Sequence, residues 1–574
     1  MKPAVFPLVL AFVLAAAGCT QPLHVAGPTL NVPPPAASPA WGDLVDEYIE
    51  GNFAFNPATA VRAGRHEFDG QLAAFTRESF RRDAERLHEL RERARAFDAT
   101  GLDANQRFER EYLVAQITND LFWLEVAENP YRNPGYYAGA LSPDVYTERE
   151  YAPLDQRLRA YTKYLKALPA ATLRVRENLR TPMPRTFAHL GHAIFGGMAR
   201  FYEHDAPAVF APVKDAELQQ EFVAANAEAV RAMKALDAWF ASQTASASGD
   251  FALGAEKFLR MLHDTEDVDI PLARLKEMGE RDLERNLAML REECARFAPG
   301  ETLRACVDKV EHIKPAAGPV KEAMRQLPRL RAFLVEKNVV TIPSPDVATV
   351  DEAPVYRRWN AAYISIPGPF EKRLPSVYFI APPDPAWTKA EQDAYIPGLD
   401  ELLIVSAHEV WPGHFLQHLH AKRAFSKLGS LGRSYAFGEG WAHYCEEMMW
   451  EMGLGAGDSA VHIGQIKVAL LRDVRYLSAL GLHTAGMTVA QSEAMFSEKA
   501  FQDPGNARQQ AARGTFDPAY GNYTLGKLMI RELRDEWTAP RGGRAAWKAF
   551  HDRFLSYGSP PIPLVRKAMM EQRP

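Results

Sequence analysis

"SAHEVWPGHFLQHLH" (406–420) sets His408, Glu409, His414, His418 and His420 around the dipeptide Pro412-Gly413. A zinc-peptidase helix reads H-E-x-x-H, with both His on one face. Here the second His comes six residues after the first, and at about 100° per residue it lies roughly 120° off that face. An undisturbed helix cannot bring His408 and His414 to one ion. Pro412, however, has no amide hydrogen and clashes with the carbonyl of His408, so the helix must kink or open there. Gly413 tolerates the dihedrals that an opening demands. About two residues' worth of unwinding carry His414 to the place of an ordinary i+4 ligand. Glu409 then stands where a general base acts on water at the metal.

A catalytic zinc site with one open position wants a third protein donor. "SYAFGEGWAHYCEEMMWEMG" (434–453) offers Glu439, followed by His443, Glu446 and Glu447 on one helix. The intervening "AFSKLGSLGRSY" is long enough for a loop, so this helix can return antiparallel to the first. Glu439 and His443 are one turn apart and share a face. Glu439 is the expected third ligand, with His443 or Glu446 supporting a ligand from outside. A rival pair is His414 and His418 at i,i+4, while His420 reads as incidental. The Glu446-Glu447 run reads as solvated or ion-paired.

The remaining chain frames this site. From residue 41 onward, apolar residues return at three and four, as in "ESFRRDAERLHELRERARAF" and "LARLKEMGERDLERNLAMLREECARF". Ser142-Pro143 and Thr488 read as helix starts, and "TASASGD" (244–250) as a surface loop. "ATVDE", "AYISIP" and "SVYFIA", in the stretch before the His-rich helix, read as short strands. "SVYFIA" is further read as an edge strand able to pair with an extended substrate. The expected fold is mainly α, with a small sheet ahead of the metal-binding helix. Residues 41–574 are expected to form one large domain, with lobes of about 41–330 and 331–574 around a cleft as the working picture.

The start of the chain, "MKPAVFPLVLAFVLAAAGCT", reads as a lipoprotein-type signal over 1–19 that leaves Cys19 as the lipidated residue, although Ala16 replaces the usual Leu. The Pro-rich stretch 20–40 suits a tether. The protein is therefore expected to be exported, periplasmic and membrane-anchored. In that compartment Cys294 and Cys306 are either a disulfide or two buried thiols, and Cys445 is a packing residue. Lys and Arg total 67 against 72 Asp and Glu, a net charge of −5. That balance argues against a nucleic-acid partner.

"HEVWPGHFLQ" and "GEGWAHYCEEM" resemble the H-E-x-x-P-G-H and E-G-W-A motifs of the bacterial domain-of-unknown-function family 885, grouped with gluzincin-type metallopeptidases. "FAFNPATAVRAGRHEFDG", "RLPSVYFIAPPDP", "RDVRYLSALGLHTAGMT" and "PAYGNYTLGKLMI" extend the resemblance over nearly all of the mature chain. The sequence departs at Ala479, where Asp is frequent, and at Phe415, where His is. The resemblance implies a large helical zincin-like metallopeptidase fold and a peptidase-like activity. It also implies one Zn2+ held by His408, His414 and Glu439, with Glu409 as base, and draws attention to Tyr523 and His483 as catalytic residues. A Tyr hydroxyl or a His can donate to the oxyanion opposite the metal. Arg475, Arg513 and Lys527 are candidates to hold a substrate carboxylate. The resulting expectation is a zinc peptidase acting on short peptides. Its rivals are a metal-dependent amide or ester hydrolase, a non-catalytic binding lipoprotein with a zincin fold and, more remotely, a Cys or Ser hydrolase.

Overall fold

The computed structural model describes residues 39–571, Trp359 excepted. The signal 1–19, its Cys19 and the tether up to residue 38 lie outside the described residues. The rest is mainly helical, with one three-stranded sheet.

The helices follow local chemistry. The helix Arg77–Ala96 starts at a Thr76–Ser79 capping box, and the helix Val489–Lys499 at one between Thr488 and Gln491. Eight helices frame the site: α1 (Leu272–Phe297), α2 (Pro319–Lys337), α3 (Leu399–Glu409), α4 (His414–Ala421), α5 (Tyr435–Glu451), α6 (Ser459–Thr484), α7 (Pro504–Phe516) and α8 (Asn522–Thr538). α3 packs on α2, α5 and α6, and α5 packs closely on α8. Two glycines permit that closeness. A Cβ on Gly440 would sit 2.5 Å from the Gly526 Cα, and one on Gly526 would sit 2.0 Å from the Ala436 carbonyl oxygen.

The strands are β1 (Ala348–Glu352), β2 (Ala362–Ser365) and β3 (Ser376–Ile380), in the order β1-β3-β2. β3 runs parallel to β1, with Val350 opposite Tyr378, and antiparallel to β2, with Tyr363 opposite Phe379. Both flanks of β3 are thus taken. The expected edge role of "SVYFIA" is corrected: this is the central strand, and no extended substrate can pair with it.

The described residues fall in one compact unit. One apolar cluster joins Leu44, Tyr161 and Phe240 to Tyr378, Trp411 and Phe554. The other joins Leu275, Leu290 and Val307 to Ile466, Leu470 and Tyr520. Each core draws on residues from both sides of position 330. Cys294 and Cys306 are disulfide-bonded, between α1 and the helix Leu303–Glu311.

Candidate metal centre

α3 ends at Glu409, and α4 begins at His414. The Pro-Gly break therefore separates two helices instead of kinking one. Gly413 is forced by a close approach, since a Cβ there would lie 1.6 Å from the His408 carbonyl oxygen. With only hydrogen in that place, the Gly413 amide donates to Ala407 O at 2.9 Å. The next residue, His414, then lies beside His408, with ring centroids 4.8 Å apart. The loop is held from α5: the Pro412 carbonyl accepts from Trp441 Nε1 at 2.9 Å and from Cys445 Sγ at 3.7 Å. This contact accounts for the Trp of the E-G-W-A motif and gives Cys445 the packing role expected of it.

α5 carries Glu439 to the same place. Its first turn is secured by Ser434, whose hydroxyl accepts from the Phe437 amide at 3.0 Å, and by the buried Glu266, which accepts from the Tyr435 amide at 3.0 Å. Glu439 Oε2 then lies 3.4 Å from His408 Nε2 and 3.2 Å from His414 Nε2. The ligand atoms of these three residues are all within 4.8 Å of one another, the one such group among the described residues.

The donor set fits a zinc ion. Ligand bonds of about 2.0–2.2 Å in a tetrahedron place neighbouring donors roughly 3.3 Å apart. Glu439 Oε2 is buried with no hydrogen-bond partner among the described residues. Although burial opposes its ionisation, His414 and His408 hold its carboxyl well below the usual range.

A second layer orients His408. Its Nδ1–H donates to Glu446 Oε1 at 2.7 Å, which leaves Nε2 facing Glu439. Glu446 is fully buried; against that burial, Arg472 at 2.9 Å and His443 keep it ionised. His443 Nδ1–H donates to Glu446 Oε2 at 2.9 Å, and burial followed by the charge of Lys527 pushes His443 down to about 3. His443 thus supports His408 through Glu446. The solvated reading of Glu446-Glu447 is corrected, for Glu447 is also buried and pairs with Arg285 at 2.7 Å. Arg472 was missed by sequence reasoning, although it lies one turn before Arg475 in "RDVR".

Glu409 is 8% exposed and, among the described residues, makes no hydrogen bond or ion pair. Tyr523 on α8 stacks near His408, with ring centroids 6.3 Å apart. Burial and then the Glu439 charge raise its pKa, so its hydroxyl stays protonated and can donate. Around that ring stand the guanidinium carbons of Arg475 at 4.9 Å, Arg472 at 5.7 Å and Arg513 at 5.9 Å.

Three expected roles are not met by this arrangement. His483 has no free ring nitrogen: Nε2 donates to Gly514 O at 2.7 Å, and Nδ1 accepts from the Leu253 amide at 3.2 Å. It fastens α6 to two other segments. Lys527 is fully buried and paired with Asp282, with Glu447 at 3.8 Å, so it offers nothing to a substrate. The rival His418 is not among the clustered donors, and its Nε2 is buried without a partner among the described residues. His420, read as incidental, is likewise outside the cluster, and its Nε2 donates to Thr341 O at 2.8 Å.

Comparison with known proteins agrees with the motifs. The model of a family described as bacterial protein of unknown function (DUF885) matches residues 57–569, and the chain belongs to that family. A search of curated proteins finds no match. Two solved structures share the fold. One is a candidate lipoprotein of unknown function from Shewanella oneidensis, 23% identical, with a TM-score of 0.75 over 92% of this chain and 99% of that one. The other is a candidate lipoprotein from Colwellia psychrerythraea, 15% identical, with a TM-score of 0.78 over 93% of this chain and 99% of that one.

Proposed function

We propose that this protein is an exported, lipid-anchored zinc metallopeptidase of zincin-like fold that hydrolyses short peptides. The convergence of His408, His414 and Glu439 beside an unpaired Glu409 carboxylate carries the reading. His408, His414 and Glu439 would hold one zinc ion, which when bound supplies Lewis acidity to a carbonyl and to water. Glu409 takes a proton from the attacking water and delivers it to the leaving amine nitrogen as the C–N bond breaks. The Tyr523 hydroxyl keeps its proton and donates a hydrogen bond to the carbonyl oxygen as charge develops there. Arg475 holds a substrate carboxylate with the charge of Arg513 nearby, and Glu446 keeps His408 Nε2 turned toward Glu439.

Anchoring rests on Cys19 at the end of an apolar leader and on the description of the two solved structures named above as candidate lipoproteins. No helix among the described residues is long and apolar enough to cross a membrane.

The test is Glu409→Gln assayed on a peptide library alongside small amides and esters. Loss of peptide hydrolysis by about 10²–10⁴-fold, with zinc content retained, is the expected outcome. Wild-type rates in the variant would remove Glu409 from the chemistry. Turnover of the small amides or esters but not of peptides would replace the substrate class.

A further inference from the structure

Arg475 is 8% exposed, yet forms no ion pair with any carboxylate among the described residues. Its Nε donates to Gln510 Oε1 at 2.9 Å, and its terminal nitrogens have no acceptor among those residues. The two arginines around it are already committed. Arg472 pairs with Glu446, and Arg513 pairs with Asp517 at 3.0 Å while donating to Tyr435 OH at 2.9 Å. Burial and the neighbouring Arg513 push the Arg475 guanidinium down to about 10. A buried cation without a counter-ion is costly, and a planar guanidinium is shaped to take a carboxylate with two parallel bonds.

The position of this cation limits which carboxylate it can meet. The Tyr523 ring is 6.3 Å from the His408 ring and 4.9 Å from the Arg475 guanidinium. The guanidinium is therefore no more than about 11 Å from His408. An extended chain covers roughly 3.3–3.6 Å per residue, so this is a reach of about three residues at most. α6, which carries Arg475, packs on α7 and α8, which carry Arg513 and Tyr523. A carboxylate held by Arg475 therefore belongs to a residue at most about three from the carbonyl that reacts beside His408.

We propose that Arg475, flanked by Arg513 and Tyr523, receives the free C-terminal carboxylate of the substrate, and that the protein is a carboxypeptidase releasing one to three residues per cut. The proposal rests on the peptidase reading. In each cut the water oxygen bonds to the carbonyl carbon, the C–N bond breaks, and the leaving nitrogen gains a proton.

The experiment uses three peptides of one sequence: the free acid, the C-terminal amide, and an amide carrying an internal Glu. Products are mapped by mass spectrometry. The free acid is cut within three residues of its C-terminus, and the plain amide at least about 100-fold more slowly. Arg475→Gln raises KM for the free acid and brings the acid-to-amide ratio near one; Arg475→Lys restores part of it. Equal cleavage of acid and amide, cuts counted from the N-terminus, or cutting directed by the internal Glu would each overturn the proposal while leaving a peptidase. Titration calorimetry with Glu409→Gln protein reads binding without turnover. A preference for the acid over the amide that disappears in the Glu409→Gln/Arg475→Gln protein supports the proposal. Equal binding of the two peptides overturns it, even where no peptide is cleaved and the peptidase reading has failed on its own.

Discussion

Gly413 has space for a hydrogen and nothing larger, because the His408 carbonyl oxygen lies where a Cβ would go. Gly413→Ala must therefore push His414 away from His408 or reopen the end of α3. Zinc affinity is expected to fall at least about tenfold, in line with losses on disturbing the support of a ligand, and a competition titration with a chelator reads it. Unchanged affinity would mean that the tight turn does not set the ligand spacing. This part of the site was legible in the sequence because the chemistry of Pro-Gly is local. His483 was not, since a buried His bonded to backbone on both nitrogens and a catalytic His are written with the same letter. Arg472 was hidden for the converse reason: only the fold reveals that Glu446 faces it.

At the level of elements, helices and strands were readable from periodicity and turn chemistry. α1 begins and ends with the quoted apolar repeat, and all three strands lie within the segments read as strands. Strand order was not readable, because pairing of β1 with β3 joins distant segments that carry no mark of their partner. The packing of α5 on α8, and the ion pairs that tie both to α1, also depend on long-range contacts. There Lys527 is fully buried and bonded to Asp282, while Asp473, pushed well up by burial and by Asp282, accepts from Asn286 Nδ2 at 2.6 Å. Removing the lysine leaves buried carboxylates short of a cation. Lys527→Ala is expected to cost about 3–5 kcal/mol in urea unfolding. A change below about 1 kcal/mol would show that the cluster relaxes without it.

Across the whole molecule, the site is assembled by segments far apart in sequence. The sheet and α2 back α3, α5 returns Glu439, and α6, α7 and α8 supply Arg475, Arg513 and Tyr523. The family match spans all of these parts, which fits a fold in which no piece of the site stands alone. The account depends above all on metal held across the Pro-Gly break. The most direct measurement is the zinc content of the purified protein and of its His414→Ala variant, by elemental analysis after zinc is supplied. One zinc per chain is expected in the wild type, and its loss in the variant. Zinc retained without His414, or absent from the wild type, would contradict it.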